Sequence, residues 1–307
     1  MITIFATPKP FRGHIKIIQR NAIRSWTLLR PKCEILLFGD EEGTKAVASE
    51  LGVRHIPQVA RNDHGTPLIS DLFEKSQQLS THDVLCYVNC DILLMSDFIS
   101  AIQRIINQKH RFLLVGQRWG LNVSEDLDLM HSWEEKFKAR VRQNGTLGHP
   151  TGIDYFVFTR GLLGKIPPFA VGRAGWDNWM IYRARSLHAA VIDLTPATMV
   201  VHQNHDYSHL SQGENDVYKS DEAKGNLKIL NHRGLTTEDA THLLTPEKLR
   251  LTLDQRHFWR HLGTLSMLYP SLRLPIQIFL KTLSVSHPLR SVLGLTLASP
   301  RIKSGDD

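Results

Sequence analysis

Cysteine is scarce in this sequence of 307 residues, which contains three, Cys33, Cys86 and Cys90, and no CxxC spacing. So few thiols exclude a disulfide framework and a CxxC metal or redox motif. Long apolar runs are also missing, because no uncharged stretch approaches the roughly 18 residues that span a bilayer. Residues 1–11 lack the basic start and long apolar core of a signal peptide. These absences predict a cytoplasmic protein.

Nucleic-acid-binding signatures are absent as well. No zinc-finger or RNP pattern accompanies the net charge of +7. The positive charge is concentrated after Thr245, where nine Lys and Arg residues stand against four Asp and Glu residues. Such a segment is compatible with nucleic acid, an anionic membrane surface or a phosphorylated small molecule. Without a recognition motif nucleic acid is the weakest of the three, and we expect no nucleic-acid partner.

What the sequence does contain is an alternation of predicted strands and helices in a composition that is 42% hydrophobic and 22% charged. The predicted strands cover 2–6, 34–38, 53–56, a central run from 83 and 112–116, and the predicted helices cover 14–29, 44–51, 69–79 and 97–108. This alternation indicates βαβ units and a mostly parallel sheet. Right-handed crossovers then place the loops after the strands along one edge. Those loops contain Thr7, Lys9, Arg12, Asp40, Asn89 and Asp91.

The central run is the most informative stretch. The apolar residues Val84 to Val88 predict a buried strand, and Asn89 and Asp91 follow at its end. Residues two apart in an extended chain point to the same side, so both side chains can face a cleft beyond the sheet. An oxygen pair there suits a hard divalent cation that also holds a diphosphate. The alternative is that the two residues only end the strand and begin a turn.

The second half of the sequence predicts a different layout. A glycine-led segment at 152–154 precedes a strand at 155–158, a segment at 172–179 opens a helix, and histidines follow a late strand at 199–201. Residues 207–237 are polar and predict a long loop. Thr245-Pro246-Glu247 predicts the start of a basic amphipathic helical tail over 246–307. We therefore divide the chain into a domain at 1–245, with halves 1–120 and 121–245, and this tail.

The order and spacing of these segments resemble the nucleotide-sugar-dependent glycosyltransferases of the GT-A fold, in a bacterial branch of them, over roughly residues 1–245. The resemblance implies an α/β fold whose mostly parallel sheet is flanked by helices, with a C-terminal helical appendage. It implies a transferase that moves a sugar from a nucleotide-diphosphate donor to a hydroxyl acceptor on a glycan or glycolipid.

The resemblance also implies a divalent metal, Mn²⁺ or Mg²⁺, held at a DxD-like motif. Asp91 matches the last aspartate of that motif, whereas Asn89 stands at its first position and binds a cation less strongly than a carboxylate would. His202 or His205 matches a late histidine that completes the metal site, although most of the sixteen histidines must be ordinary. The spacing of His202, His205 and His209 leaves a zinc site open as an alternative.

By the same resemblance, Asp177 matches the general base of an inverting transferase, with Trp176 and Trp179 as faces for an acceptor sugar. The alternative is an acid in the first turn of a helix, flanked by two core tryptophans. Asp154 is the competing catalytic acid and can hydrogen-bond the hydroxyls of the donor sugar.

The remaining donor contacts that the resemblance implies lie in the strand-end loops. Gly152 lets the backbone approach the donor closely. Lys9 or Arg12 would stabilise the diphosphate. Asp40, with Thr7 beside it, matches a position that contacts the nucleotide base, although Asp40 can equally be a turn residue.

Two other functions remain open from the sequence. A sugar-phosphate nucleotidyltransferase needs a glycine-rich phosphate loop after its first strand, but the loop at 7–13 has two prolines and one glycine. A non-catalytic nucleotide- or glycan-binding module of the same fold is favoured by Asn89. The tail either binds the inner face of an anionic membrane, which would make the protein peripheral, or packs on the domain or on a second subunit.

Overall fold

The structure is a computed structural model that describes residues 1–130, 132–206, 213–231, 234–276, 278 and 279. The chain divides into two compact units, Met1–His257 and Phe258–Asp307. The first unit contains all the residues predicted for the site.

The first half of the large unit alternates strands and helices as predicted. Its elements are β1 (Thr3–Ala6), α1 (Gly13–Leu28), β2 (Glu34–Phe38), α2 (Thr44–Leu51), β3 (Arg54–Ile56), α3 (Ile69–Leu79), β4 (Val84–Val88), β5 (Ile92–Leu93), α4 (Ser96–Ile106) and β6 (Phe112–Val115).

The second half adds shorter elements. They are β7 (Trp119–Leu121), α5 (Trp133–Asn144), β8 (Thr146–Leu147), β9 (Tyr155–Thr159), α6 (Trp176–Ser186), β10 (Ala190–Asp193), β11 (Val201–Gln203), α7 (Glu214–Tyr218), α8 (Asp221–Leu230), a 3₁₀ turn (Thr237–Asp239), β12 (His242–Leu244), β13 (Leu249–Leu251), α9 (Gln255–Leu268) and a second 3₁₀ turn (Pro270–Leu272).

The strands form two sheets. The large one has the order β13-β12-β10-β6-β9-β4-β1-β2-β3, and the small one has the order β5-β11-β7-β8. Within the large sheet β9 runs antiparallel to β4 and β6, and β13 runs antiparallel to β12, while the other pairs are parallel. This arrangement confirms the predicted α/β class, with a mostly parallel sheet flanked by helices.

Both faces of the large sheet are covered, which explains why its central strands are apolar at every position. Ile4 packs into the cluster that includes residues of α1, α2 and α4. Its neighbour Phe5 faces the other way, and its ring centroid lies 5.0 Å from that of Phe73 in α3 and 5.6 Å from that of Tyr87 in β4. Because β1 and β4 are parallel neighbours, the loops that follow them leave from the same edge.

The prediction of one long loop over 207–237 was wrong for residues 214–230, which form α7 and α8. Local polar contacts account for the difference. Ser220 caps α8 by accepting a hydrogen bond from the backbone N–H of Ala223 (3.2 Å), and the buried Asn226 side chain bonds the backbone of Ala170. The polar composition therefore belongs to a capped helix with buried amides. Residues 207–212, 232 and 233, which belong to the same predicted loop, lie outside the described residues.

The predicted helix start at Thr245-Pro246-Glu247 was also wrong. These residues make the turn between β12 and β13, where the Thr245 hydroxyl accepts a hydrogen bond from the Lys248 backbone N–H (3.1 Å). Within this turn the Thr245 hydroxyl makes its hydrogen bonds to Lys248 and does not cap a helix. The sheet therefore continues through β13, beyond the predicted boundary at 245. A helix does follow, α9, and residues 277 and 280–307 of the predicted tail lie outside the described residues. Among the described helices none is both long and apolar enough to cross a bilayer.

Candidate functional site

The candidate site is organised around Asp91, which follows β4 and is 6% exposed. Its Oδ2 atom lies 3.1 Å from His205 Nε2 and 3.5 Å from Lys9 Nζ, and its Oδ1 atom lies 3.9 Å from His202 Nε2. Lys9 Nζ is in turn 3.2 Å from His205 Nε2. The structure thus brings together four predicted residues from the loop after β1, the end of β4 and the end of β11.

The two histidines are positioned by Gln203, one of the two residues between them. Gln203 is fully buried, its backbone N–H donates to the Asp91 carbonyl (3.0 Å), and its side chain donates to the carbonyl of Ile18 in α1 (2.7 Å). Sequence reasoning missed Gln203. The only signal in the sequence was a polar residue directly after a histidine at the end of a strand.

Charge in this cluster is set by burial and by close neighbours. Burial alone would raise the pKa of the Asp91 carboxyl, but His202, His205 and Lys9 together hold that pKa well below its usual range. Burial also lowers the pKa of His202. Metal ligation requires an ionised carboxylate and a neutral imidazole, and the two pKa shifts are in the directions that favour these forms.

The atoms of this cluster fit a divalent cation. One ligand atom from each of Asp91, His202 and His205 lies within 4.8 Å of the others. The Oδ1 atom of Asp91 is buried and has no hydrogen-bond partner among the described residues. A buried carboxylate oxygen without a partner is costly, and a cation would satisfy it. His209, the third member of the alternative zinc spacing, lies outside the described residues.

Asn89 faces a second carboxylate. Its side-chain Nδ2 donates to Asp154 Oδ1 (2.8 Å), and its backbone N–H donates to the Asp154 carbonyl (3.0 Å). The other Asp154 oxygen accepts a hydrogen bond from Arg118 Nε. A metal-ligating role for Asn89 stays a prediction. In the structure its side-chain amide links the DxD-like motif to Asp154 through a hydrogen bond.

Arg118 was missed by sequence reasoning. It lies just before β7, a strand of three residues, and only the pairing of β4 with β9 brings Asp154 within its reach. A side-chain carbon added at Gly152 would lie 3.7 Å from the Arg118 guanidinium, so the predicted donor glycine lies beside this ion pair.

Asp177 lies in the first turn of α6, two residues after Gly175, which ends the preceding loop with φ of 105°. The residue is partly exposed, but desolvation of its carboxyl, together with the nearby Asp154 charge, raises the pKa of Asp177 to about 6. Asp177 is therefore close enough to Asp154, the hydrogen-bond partner of Asn89, to be affected by its charge. A carboxyl with this pKa can take up a proton near neutral pH.

The two tryptophans beside Asp177 are buried. The Trp176 ring centroid lies 5.2 Å from those of both Tyr87 and Phe156, and the Trp179 ring centroid lies 5.5 Å from that of Phe169. Trp176 and Trp179 are 6% and 8% exposed. This packing agrees with the alternative that Trp176 and Trp179 are core residues. The contact of these two rings with an acceptor sugar stays a prediction.

The other predicted donor residues lie in two places. The Thr7 hydroxyl is buried beside β2 without a hydrogen-bond partner in the described chain. Asp40 is exposed and forms an ion pair with Arg61 (2.7 Å). Arg12 is exposed and forms an ion pair with Glu42, not with Asp91.

A further acid missed by sequence reasoning lies next to Thr7. Glu41 pairs with Arg61 through Oε1 (2.9 Å), while its Oε2 is buried and has no partner within the described ranges. A carbon added at Gly39 would lie 2.5 Å from that oxygen and 3.5 Å from the Thr7 hydroxyl. Glycine therefore leaves room for the Glu41 carboxylate beside the Thr7 hydroxyl, between the ends of β1 and β2. The sequence predicts a turn at Gly39-Asp40 and a base contact for Asp40. The structure exposes Asp40 and partly buries its neighbour Glu41.

No family model and no curated protein matches this sequence. Among solved structures, TarS 1-349 of S. aureus in complex with UDP-GlcNAc is similar over 75% of this chain and 70% of that chain, at 12% identity and a TM-score of 0.48. The mannosyltransferase PcManGT from Pyrobaculum calidifontis in complex with GDP-Man and Mn²⁺ is similar over 95% and 83%, at 10% identity and a TM-score of 0.44.

The glucosyl-3-phosphoglycerate synthase from Mycobacterium tuberculosis in complex with Mg²⁺ and UDP is similar over 67% of this chain and 72% of that chain, at 14% identity and a TM-score of 0.39. Similarity at this level does not assign an activity.

The cluster predicts metal-dependent stability. We expect Mn²⁺ at 100 times its dissociation constant to add about 2.7 kcal/mol to the free energy of unfolding, because a cation would satisfy the buried Asp91 oxygen. The shape-conserving Asp91→Asn variant should lose this gain in stability. The His205→Ala variant should need a much higher Mn²⁺ concentration to reach the same gain. Thermal unfolding with and without Mn²⁺ measures both effects.

The control for this experiment is His110→Ala, which removes an exposed histidine outside the cluster and should respond to Mn²⁺ like the wild type. Equal stabilisation of wild type and Asp91→Asn would contradict the metal assignment. A parallel series with Zn²⁺ tests the alternative metal.

Proposed function

We propose that the protein is a glycosyltransferase that moves a sugar from a nucleotide-diphosphate donor to a hydroxyl acceptor. One observation carries the proposal. At one sheet edge a buried carboxylate with an unsatisfied oxygen, Asp91, lies among two imidazoles and an ammonium group. This donor set suits a cation-bridged diphosphate.

Donor binding divides between two groups of residues. Asp91, His202 and His205 would hold a divalent cation, which when bound neutralises the charge of the diphosphate leaving group. The side chain of Lys9 is 34% exposed, so its ammonium group can reach a phosphate oxygen while it remains near Asp91. The buried oxygens of Thr7 and Glu41 that have no hydrogen-bond partner within the described residues would bind a nucleotide base at the end of β2.

Proton transfer is assigned to Asp177. The acceptor hydroxyl must lose its proton as its oxygen attacks the anomeric carbon, and the Asp177 carboxylate takes that proton. A pKa of about 6 keeps the group largely ionised at neutral pH and makes it a better proton acceptor than an ordinary aspartate. Direct attack by the acceptor, with Asp177 as base, inverts the configuration at the anomeric carbon.

Asp154 has a positioning role in this proposal. Its carboxylate is held by Asn89 on one side and Arg118 on the other. The fixed carboxylate can accept hydrogen bonds from donor-sugar hydroxyls, and its charge contributes to the raised pKa of Asp177. The proposal thus gives the two predicted catalytic acids different tasks.

The proposal predicts slow, metal-dependent hydrolysis of one member of a nucleotide-sugar panel. Asp91→Asn should lower this rate at least about 100-fold because it removes the carboxylate of the cluster. Asp177→Asn should lower it by about 100- to 10,000-fold, the usual contribution of a general base. Release of nucleoside diphosphate measures the rate.

The matched control is Asp83→Asn, which neutralises a carboxylate that is 95% exposed and remote from the cluster. It should retain wild-type hydrolysis. Tight binding of a nucleotide-sugar without any turnover would favour the non-catalytic module, and release of pyrophosphate from a nucleoside triphosphate and a sugar phosphate would favour the nucleotidyltransferase.

The raised pKa of Asp177 predicts a pH dependence. The base must be ionised, so the rate should rise about tenfold per pH unit below pH 6 and level off above it. A kcat/KM profile measures this, and a profile without change across pH 6 would contradict the role of Asp177. Asp83→Asn should keep the wild-type profile.

The stability effect has the opposite sign. The folded pKa is above the ordinary 3.8, so the stabilising contribution is present at low pH and is lost as the pH rises through about 6. The uncharged Asp177→Asn variant should therefore unfold at a higher temperature than the wild type above pH 6.

The basic tail supports a second part of the proposal, in which the second unit binds an anionic membrane surface. Leu274 and Ile278 are 67% and 54% exposed, and the described residues around them (273–276, 278 and 279) are helical. The two side chains are four residues apart, a spacing that places helical side chains on one face. Arg273 is exposed beside them. Exposed apolar side chains among bases bind anionic interfaces.

We expect the full chain to float with vesicles that contain phosphatidylglycerol and not with pure phosphatidylcholine vesicles, and raised salt should weaken the association. The double variant Leu274→Ser/Ile278→Ser should bind more weakly, because its apolar face is lost. Met130→Ser, which removes an exposed apolar side chain of the large unit, is the control. Equal flotation of all three proteins would contradict this assignment.

A further inference from the structure

A cavity of about 540 Å³ adjoins the Asp91 cluster, and its volume is in the range of about 300–1,000 Å³ typical of small-molecule sites. It is formed by β7, the last turn of α5, β8 and the residue after β11. Two lining residues also contact the site. Arg118 bonds Asp154, and the Asn204 Oδ1 atom lies 3.4 Å from His202 Nδ1.

Glycines shape the wall of this cavity. A side-chain carbon at Gly120 would lie 2.9 Å from the Asn204 Oδ1 atom, and one at Gly148 would lie 2.9 Å from the Arg118 carbonyl oxygen. Any other residue at these positions would displace a lining group. The two glycines therefore let the amide of Asn204 and the backbone of Arg118 lie against β7 and β8.

Amide side chains supply much of the polar lining. Asn122, Asn144 and Asn204 all line the cavity, and Asn204 Nδ2 donates to Asn122 Oδ1 (2.9 Å), which fixes the orientation of both. Each amide offers two donors and an acceptor. Adjacent hydroxyls of a sugar or polyol need donors and acceptors together, so this lining suits a polyhydroxylated ligand.

The charged groups in the lining are all positive. Arg118 and Arg140 contribute guanidinium groups, and the lining contains no acidic residue. Arg118 uses Nε for Asp154, and its terminal nitrogens make no further hydrogen bond within the described part of the chain. Arg140 donates through Nη2 to the Asn122 carbonyl (3.0 Å) and through Nη1 to Glu125. Guanidinium groups recognise carboxylates and phosphates with paired hydrogen bonds.

The position of the cavity distinguishes it from the donor site. Thr7 and Glu41 follow β1 and β2 of the large sheet, whereas the cavity lies along β7 and β8 of the small sheet. The small sheet reaches the cluster through β11, which pairs with β5 directly after Asp91. A donor whose diphosphate binds at the Asp91 cluster would therefore have its nucleotide near β2. The cavity would then remain available for the second substrate.

We propose that this cavity is the acceptor subsite and that the acceptor is a sugar or polyol unit that carries a carboxylate or phosphate group. The proposal rests on the glycosyltransferase function proposed above. Arg140 and the free face of Arg118 bind the anionic group, and the asparagine amides bind the hydroxyls.

Two matched pairs of probes test the charge preference and its source. The pairs are glucuronate with glucose, and glycerol 3-phosphate with glycerol, and binding to the full chain is measured by ligand-observed NMR titration. In at least one pair we expect the acidic member to bind about tenfold more tightly than the neutral one, because it adds a charge-assisted hydrogen bond. Preference in the first pair identifies a sugar acid, and preference in the second identifies a polyol phosphate.

Three variants locate the binding. Arg140→Gln should remove the preference for the acidic member, and Asn144→Leu, which places an apolar side chain at the cavity wall, should weaken both members of the pair. Lys136→Gln removes an exposed charge from the same helix outside the cavity lining and should bind like the wild type. Thermal unfolding of each variant checks that it is folded.

Equal binding of acidic and neutral members in both pairs, no binding of either pair, or an unchanged preference in Arg140→Gln would overturn the inference. Donor hydrolysis measured on the same preparations separates this failure from that of the proposed function. Hydrolysis without an Arg140-dependent preference rejects the acceptor subsite alone. An Arg140-dependent preference without hydrolysis of any donor rejects the transferase and leaves an acid-binding cavity.

Discussion

The buried negative charge of Asp91 is the constraint on which the rest of the site depends. A carboxylate at this depth is expensive unless it is paired, and its partners come from distant parts of the chain. Lys9 follows β1, and His202 and His205 follow the start of β11. The compensation of one charge therefore holds the loop of the first strand, the end of the central strand and the small sheet in one place.

Two other carboxylates are treated differently by the same fold. Asp154 is paired with Arg118 and bonded to Asn89, whereas Asp177 is desolvated near Asp154 and has a raised pKa of about 6. Asp91 has a pKa shifted in the opposite direction. Acids with pKa values moved apart by their surroundings can take different chemical roles at one pH. The proposed division between diphosphate binding and proton transfer follows from these surroundings.

The sequence predicted those parts of the molecule that rest on local pattern. The apolar runs of β1, β2 and β4 indicated buried parallel strands, and the polar residues at their ends indicated the edge where Lys9 and Asp91 meet. Long-range pairing was not visible in that way. Arg118 reaches Asp154 only because β9 inserts antiparallel between β4 and β6, and β7 and β8 have too few residues for a periodic signal.

Errors in the sequence prediction arose where polar residues satisfy one another. Thr245 resembled a helix N-cap, but its hydroxyl bonds Lys248 across a two-strand turn. Residues 214–230 resembled a loop because their amides and acids are polar, yet Asn226 and Glu222 are used inside the fold. Composition records that a side chain can hydrogen-bond but not which partner it will find, and only the partner distinguishes a loop from a helix.

Helix α8, in the segment predicted to be a loop, positions the chain that leads to Asp177. Asn226 bonds both the N–H and the carbonyl of Ala170, at 2.9 Å and 3.0 Å. Glu222 accepts a hydrogen bond from Arg173 (2.7 Å) in a pair whose side chains are 9% and 12% exposed. The loop at 170–175 is therefore held at Ala170 and at Arg173, shortly before Gly175 leads into α6. Since Asp177 lies in the first turn of α6, the chain that carries it is positioned by contacts from a helix more than 40 residues further along the sequence.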